Sequence, residues 1–343
     1  MNKKIWIIVV AVLIIVLGIG IYLILQKSQP PASKPLNFVA YLHLEAELKF
    51  PNEKTYNQVN AQLKEIIDLF DKYDAKITIE SAMPYAEAAN KWGNDMLNYA
   101  LDKGMGVGTH CDFSTTNTPN PTVTYKDFKN LKEKVDAIVG TSNNIGCSGG
   151  FGAENWVQAA HDGGFSYLDA PVMNVYLRIP EENRPINPET NKPYTDEEIE
   201  KVYYHDPAPP DIRDRIYPRM LKDVQDLEED KDGILLLMTG GLGEISSLYE
   251  GRKNCFPNCK LTQEDIDYIF ENIDNVNNFK DNSRVSVLDT HFPLKTISVP
   301  PERKEEKLKI VEGWLKKMQE YRQQGKIKWV TMKEIYEEYT KNK

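Results

Sequence analysis

The sequence predicts an α/β protein in which seven or eight parallel strands alternate with helices, preceded by one N-terminal transmembrane helix. Three observations carry this. From Leu36 onward, β-rich runs alternate with amphipathic helical runs, the order that places parallel strands inside and helices outside. Seven or eight strands are enough to close a barrel, with an open doubly wound sheet as the competing arrangement. Residues 5–25, "IWIIVVAVLIIVLGIGIYLIL", form an uncharged apolar run about as long as a helix needs to cross a bilayer.

The N-terminus divides into a short segment at 1–4, the apolar run at 5–25 and a stem at 26–35. The run is longer than the apolar core of a signal peptide, and "QKSQPPASKP" offers no small-residue cleavage site, so an uncleaved anchor is expected. Lysines flank the run on both sides (Lys3 and Lys4, Lys27 and Lys34), so charge bias orients it weakly. A short inner N-terminus with a large extracytoplasmic domain is the expected topology. Three prolines make the stem stiff and extended. The domain then runs from 36 to 343. Of the 343 residues, 41% are hydrophobic and 27% charged, enough to bury a sizeable core. A net charge of −9 argues against nucleic acid as a partner, because phosphate binding needs a basic surface.

Along the domain, "NFVAYLHLE" reads as a strand. "TYNQVNAQLKEIIDLFDKY" places Val59, Leu63, Ile66, Ile67 and Phe70 at helical spacing. "AKITIES" is a strand, followed by a helix around Trp92, Met96 and Leu101. "GMGVGTH" is a strand ending at His110. "YKDFKNLKEKVDAIV" is an amphipathic helix with Phe128, Leu131, Val135 and Ile138 on one face. "NNIGCS" and "FSYLDAP" are strands on either side of a helix around Trp156 and Ala160. "GILLLM" and "RVSVLDTHF" are strands separated by the helix "LTQEDIDYIFENIDNV". A long helix over "ERKEEKLKIVEGWLKKMQEYRQQG" and the segment "KIKWVTMKEIYEEY" close the chain, with Thr331 and Glu334 spaced as a capping box. No Gly-rich phosphate loop follows any strand.

One segment breaks the rhythm. Residues 178–232 are polar and Pro-rich, and too long for an ordinary connection, so they are expected to be a lid over the strand ends or a partly disordered insertion. Its tyrosines, Tyr194, Tyr203, Tyr204 and Tyr217, are candidates for stacking on sugars or for anchoring a long loop.

Sites in such folds form where strands run out at their C-terminal ends. Alternation places His43, Glu45 and Glu47 on one side of the first strand. The second ends at Glu80, the third at His110 and Asp112, the fifth at Asp169. A later strand ends in Asp289 and His291. Singly, each has an ordinary explanation as a turn, cap or rim residue. Converging on one crater, they would repel or desolvate one another unless a cation or substrate compensates. Oxygen and imidazole donors suit Zn, Co, Mn or Fe.

These segments together resemble the polysaccharide deacetylase (NodB-homology) family of the glycoside hydrolase/deacetylase superfamily. The resemblance rests on "FVAYLHLEAE", "FDKYDAKITIES", "WGNDMLNYALDKGMGVGTHCDFS", "WVQAAHDGGFSYLDAP", "VSVLDTHF" and "KIKWVTMKEI", and covers most of the domain outside 178–232. It implies a distorted (β/α) barrel and a divalent metal, zinc foremost, acting on a glycan. Glu45 and Glu47 stand at the end of the strand where the family carries paired aspartates, one a base and one a ligand. His110 matches the first histidine of the family's metal motif, Ser114 stands in place of the second, and Asp112 is the substitute oxygen ligand. "GCSGGFGAENW" lacks the family's Arg-x-Pro. His291 matches the late catalytic histidine, with Asp289 to hold its charge, and Glu80, Asp169 and Tyr204 are candidates for substrate contact. The implied activity is removal of acyl groups, N-acetyl foremost, from a glycan. The alternatives are a divergent glycoside hydrolase drawing on Glu45, Glu47, Glu80 and Asp169, and a non-catalytic glycan-binding protein.

Cysteine pairing stays open at this point. "CFPNC" could close a small loop through Cys255 and Cys259 in an oxidising compartment. Cys111 alternates away from His110, and Cys147, at the end of the next strand, is its candidate partner.

Overall fold

Nine strands follow one another around a curled sheet in the order β10-β11-β1-β2-β3-β4-β5-β9-β8. They are β1 (Leu36–Leu44), β2 (Ile77–Ser81), β3 (Gly106–Cys111), β4 (Gly146–Gly149), β5 (Tyr167–Asp169), β8 (Arg219–Leu221), β9 (Leu235–Met238), β10 (Gly241–Glu244) and β11 (Val287–His291). A tenth, β12 (Ile327–Trp329), lies parallel to the start of β1. The hairpin β6 (Ile186–Asn187) and β7 (Lys192–Pro193) stands apart. All pairs in the main sheet are parallel except β8 with β9. This computed structural model describes residues 34–93, 95–111, 113, 122–170, 172–187, 189–202, 215–255, 258–296 and 301–342. Pro35–Lys343 form one compact unit.

The seven strands named from the sequence are β1, β2, β3, β4, β5, β9 and β11, and β12 falls in the closing segment "KIKWVTMKEIYEEY". β10, at one end of the sheet's path, and β9, next to β8 at the other, are joined in the chain by Thr239 and Gly240 alone. Gly240 is required there: a Cβ would meet the Val287 carbonyl oxygen at 2.4 Å, and the Gly240 carbonyl accepts from the Asp289 amide at 3.1 Å. The sheet therefore curls round on itself, and the inside of the curl is lined by alternate residues of each strand.

The outward residues of β1, Leu36, Phe38, Ala40, Leu42 and Leu44, pack against the helices. Glu53–Lys72 supplies Leu63, Ile66, Ile67 and Phe70, as its spacing predicts. Phe38 meets Trp329 edge-on at 5.2 Å and Trp314 at 6.5 Å, which fixes the long helix Pro301–Gln323 and β12 over β1. The inward residues, Val39 and Tyr41, pack with Tyr167, Leu236, Met238, Val285, Val287, Val330, Met332 and Ile335. The capping box of Thr331 and Glu334 starts the last helix, Met332–Lys341, as expected, and the Met332 amide donates to Thr78 Oγ1 at 3.1 Å.

The described parts of the insertion, 178–187, 189–202 and 215–232, carry structure of their own. Its end, β8, is an edge strand antiparallel to β9, with Leu221 buried. Tyr194 packs with Tyr176 and Ile199 in a small core of its own. Tyr217 is buried under the Arg284 guanidinium, 3.9 Å from its ring, and its hydroxyl accepts from the Asp281 amide. Both tyrosines anchor chain rather than present a stacking surface. Tyr204 and Asp112, together with the apolar run at 5–25, lie outside the described residues. Among the described residues no helix is long and apolar enough to cross a membrane.

Candidate active site at the strand ends

The carboxyl ends of β1, β2, β3, β4, β5 and β11 bring together His43, Glu45, Glu80, His110, Ser148, Asp169 and His291. Register explains the grouping: His43 stands beside Glu80, His110 beside Ser148, and Ser148 beside Asp169. Tyr41 is paired with His291 across β1 and β11, and their rings stack at 5.2 Å.

Three imidazoles form the centre. The His43 ring lies 3.9 Å from that of His110, nearly parallel, and 4.7 Å from that of His291. His110 is held at both nitrogens: Nε2 is 3.1 Å from Glu45 Oε2, and Nδ1 is 2.9 Å from Ser148 Oγ. A carboxylate only accepts, so Nε2 carries the proton and, in the neutral ring, Nδ1 accepts from the serine hydroxyl. His43 reaches Glu80 Oε2 with Nε2 at 3.0 Å and Glu45 Oε1 with Nδ1 at 3.8 Å.

The carboxyls occupy two levels with opposite electrostatics. Glu45 is at the rim, its side chain 42% exposed. Burial alone would push its carboxyl up. The hydrogen bond with His110 and the charges of His43, His110 and His291 together outweigh this and hold it well below the usual carboxylate range. Glu80 and Asp169 form the floor, at 0% and 4% exposure. Burial pushes Glu80 up to about 7, against the pull of Ser148, His110 and Asp169, and Glu45 adds to the rise. Burial and the neighbouring Glu80 push Asp169 well above its ordinary value. Neither Glu80 oxygen has a well-formed hydrogen bond among the described residues, nor has Asp169 Oδ1 or the hydroxyl of Tyr167 beneath them.

Glycines make this floor possible. A Cβ at Gly108 would meet Glu80 Oε1 at 3.1 Å, and one at Gly146 would fall 1.9 Å from the Tyr167 ring. The glycine alternation in "GMGVGTH" therefore clears space for the carboxyl of the neighbouring strand.

Glu47 does not join the site. β1 stops at Leu44, and a turn follows in which the Leu48 amide donates to the Glu45 carbonyl, so alternation no longer applies and Glu47 is exposed. Asp289 is buried on β11, against Gly241. A second carboxylate, absent from the sequence-based set, faces His291. Glu244 ends β10 in register with His291, accepts from Ser246 Oγ at 2.7 Å and lies 3.0 Å from Lys295 Nζ. Burial raises its carboxyl, and Ser246, His291 and Lys295 more than offset that rise.

Ser148, Tyr41 and Glu244 escaped sequence reasoning for different reasons. A search of strand ends for ionisable groups passes over a serine and a tyrosine. Glu244 ends a strand whose Gly-rich sequence, "TGGLGE", carries no β signal. Ser148 ends the expected strand "NNIGCS" and is found once hydroxyls are counted.

Among the described residues, two groups of ligand-type atoms lie within 4.8 Å of one another: His43, Glu45 and His291, and His43, Glu80 and Asp169. His110, the expected first ligand, is in neither. Two disulfides are formed, Cys111–Cys147 and Cys255–Cys259. The first ties β3 to β4 immediately beside the His110–Ser148 pair.

No family model matches the chain, and no curated protein sequence does. Solved structures do. A candidate polysaccharide deacetylase from Mycobacterium smegmatis is similar at 10% identity and a TM-score of 0.53, over 91% of this chain and 93% of that one. A candidate glycoside hydrolase/deacetylase from Parabacteroides distasonis gives 11% and 0.52, over 91% of this chain and 72% of that one. The 4-α-glucanotransferase of Thermococcus litoralis gives 13% and 0.52; 89% of this chain spans 41% of that longer one. The chain therefore has a polysaccharide deacetylase-like fold.

Proposed function

We propose that the chain is a carbohydrate deacetylase that hydrolyses N-acetyl groups of a glycan with a divalent metal, zinc foremost. The observation that carries this is the meeting of three imidazoles and three carboxyls at the strand ends, on a fold shared with a candidate polysaccharide deacetylase. The donor set fits a cation: imidazole and carboxylate atoms converge around His43, and buried carboxyl oxygens lack well-formed hydrogen bonds among the described residues. Such an ion, held by His43 with carboxyls of the crater, supplies polarisation of the acyl carbonyl and acidification of water.

The chain's own residues supply the proton traffic. Glu45 is the carboxylate substrate can reach, since Glu80 and Asp169 are sealed. Ionised at neutral pH, it accepts a proton from the attacking water, and His110 Nε2 at 3.1 Å keeps it oriented. His291, on the β11 side of His43, protonates the leaving amine. Glu244 beside it favours its charged form, with Asp289 two residues earlier proposed to add to this. Ser148 holds His110 from the other nitrogen. Glycoside hydrolysis needs two carboxyls flanking a sugar bond; here Glu80 and Asp169, the carboxyls that lie together, are sealed beneath the histidines.

The apolar run at 5–25 is proposed to anchor the protein in a membrane with the domain on the extracytoplasmic side. The two disulfides support an oxidising compartment. The test is acetate release from N-acetylated oligosaccharides by full-length protein in detergent with added zinc. Acetate is expected. New reducing ends without acetate would favour the glycosidase alternative, and sugar binding without either product would favour a glycan-binding protein.

A further inference from the structure

The crater's two levels share His43, and they differ in whether they satisfy themselves. The geometry points to a divalent-cation site on the lower level, held by His43, Glu80 and Asp169, one layer beneath the place that the His110 motif implies. The inference deepens the deacetylase reading, and rests on it for the use of the cation, not for its binding.

At the rim, Glu45 is half in water and its oxygens face two imidazoles, at 3.1 Å and 3.8 Å. That carboxylate is provided for. The floor is not. Glu80 and Asp169 are sealed, close enough that ligand atoms of both and of His43 fall within 4.8 Å of one another. Three of their four carboxyl oxygens lack a well-formed hydrogen bond among the described residues, and Glu80 Oε2 has the His43 imidazole at 3.0 Å. The buried Tyr167 hydroxyl, which faces the same pair, lacks a well-formed hydrogen bond too. Buried carboxylates are paired or bind metal. The imidazoles of His43 and His110 are the positive groups beside the two carboxyls, and Lys295, a cation near the mouth, is engaged by Glu244.

The backbone is also shaped for this floor. Gly108 and Gly146 leave the inward space that Glu80 and Tyr167 occupy, where any other residue would displace them. Two strands thus forgo inward side chains to admit a carboxyl and a phenol. One imidazole nitrogen and two carboxylates select zinc, manganese, cobalt or iron(II) over thiolate-seeking metals.

The experiment strips full-length protein in detergent with a chelator. It then measures uptake of zinc, cobalt and manganese by elemental analysis after dialysis, beside four variants. Wild type should take up one equivalent. Glu80→Gln and Asp169→Asn should weaken affinity more than about 100-fold, beyond what loss of an outer-sphere partner causes. Glu45→Gln and His291→Ala should bind as wild type does. The reverse pattern, with metal kept by the floor variants and lost from the rim variants, overturns the lower site in favour of the upper. Wild type that takes up none of the three metals overturns it as well, and the pair then shares a proton. Because an amide at a sealed position can impair folding, wild type supplies a second readout. Zinc should raise its thermal midpoint and cobalt should give a ligand-field absorption band; neither change would count against the site. Acetate release separates the two readings. Metal on the floor without acetate leaves this site standing and removes the deacetylase. Acetate release with metal held elsewhere does the opposite.

Discussion

Glu45 and Glu80 are the same residue type on adjacent strands, both against the ring of His43, and their carboxyls are driven in opposite directions. At the rim, three imidazoles outweigh the cost of burial and Glu45 stays ionised. On the floor, burial beside another carboxyl dominates and Glu80 is pushed up to about 7. Position on the strand decides which neighbour a carboxyl meets. Glu45 lies just past the end of β1, where His110 reaches across. Glu80 lies inside β2, between His43 of β1 and Gly108 of β3, with the β5 aspartate close enough to share its floor. The rim is therefore suited to moving protons and the floor to holding a cation.

The largest effect that tests this division is at His291. Replacing it by alanine should lower turnover by about 10²–10⁴-fold, the range for loss of a general acid, with zinc content unchanged. If His291→Ala instead loses its metal with its activity, rim and floor are one site and the division fails.

Next in size is the pH response of the floor, read with the metal stripped. Burial pushes the folded Glu80 carboxyl up to about 7, above the ordinary value of 4.5 that holds in an unfolded chain. A raised folded pKa means the native state binds the proton more tightly. Its contribution to stability is full below about pH 4.5 and is lost as pH rises through about 7. At about 1.4 kcal/mol per unit, the loss is on the order of 3 kcal/mol. Denaturant unfolding with chelator present should show it, and Glu80→Gln should flatten the slope. Glu45 works in the other direction. Its pKa is held down, so its contribution is present above the unfolded value and lost as pH falls. A Glu80→Gln protein that keeps the full wild-type slope between pH 5 and 7 would assign the titration to another group.

Much of this site is legible in the sequence, and the exceptions are physical. His43, Glu80, His110, Asp169, Asp289 and His291 follow from one rule, that strands end where chemistry gathers, applied to strands that hydrophobic periodicity locates. Alternation carried past Leu44 adds Glu47, because nothing in "HLEAELK" announces that the strand stops. The opposed behaviour of Glu45 and Glu80 was not legible, because it depends on which strands are neighbours. The purpose of the inner glycines was equally hidden. "GMGVGTH" shows that small residues alternate, while the carboxyl they admit belongs to another strand.

Gly146 tests that packing directly. An added Cβ would overlap the Tyr167 ring, with ring atoms at 1.9 Å and 2.0 Å, and Tyr167 is fully buried. Gly146→Ala should destabilise the fold by about 1–3 kcal/mol or more, the range for overpacking. Shortening the obstructing side chain, as in Gly146→Ala with Tyr167→Leu, should recover part of the loss. A Gly146→Ala protein with an unchanged thermal midpoint would mean that the floor is loosely packed.

The smallest effect is at Ser148, where rim and floor meet. Its hydroxyl lies 2.9 Å from His110 Nδ1 and its charge environment includes Glu80. Ser148→Ala removes a buried neutral hydrogen bond, worth about 0.5–1.5 kcal/mol. The imidazole keeps its Glu45 contact, so the fold and the metal should survive. With Nδ1 released, the ring can tilt, and proton transfer at the rim should slow several-fold while substrate affinity stays the same. Steady-state kinetics separates kcat from KM for this purpose. A drop confined to kcat supports orientation of His110 by the serine. A drop in zinc content with unchanged kcat on reloaded protein would place Ser148 on the floor instead, as a partner of Glu80.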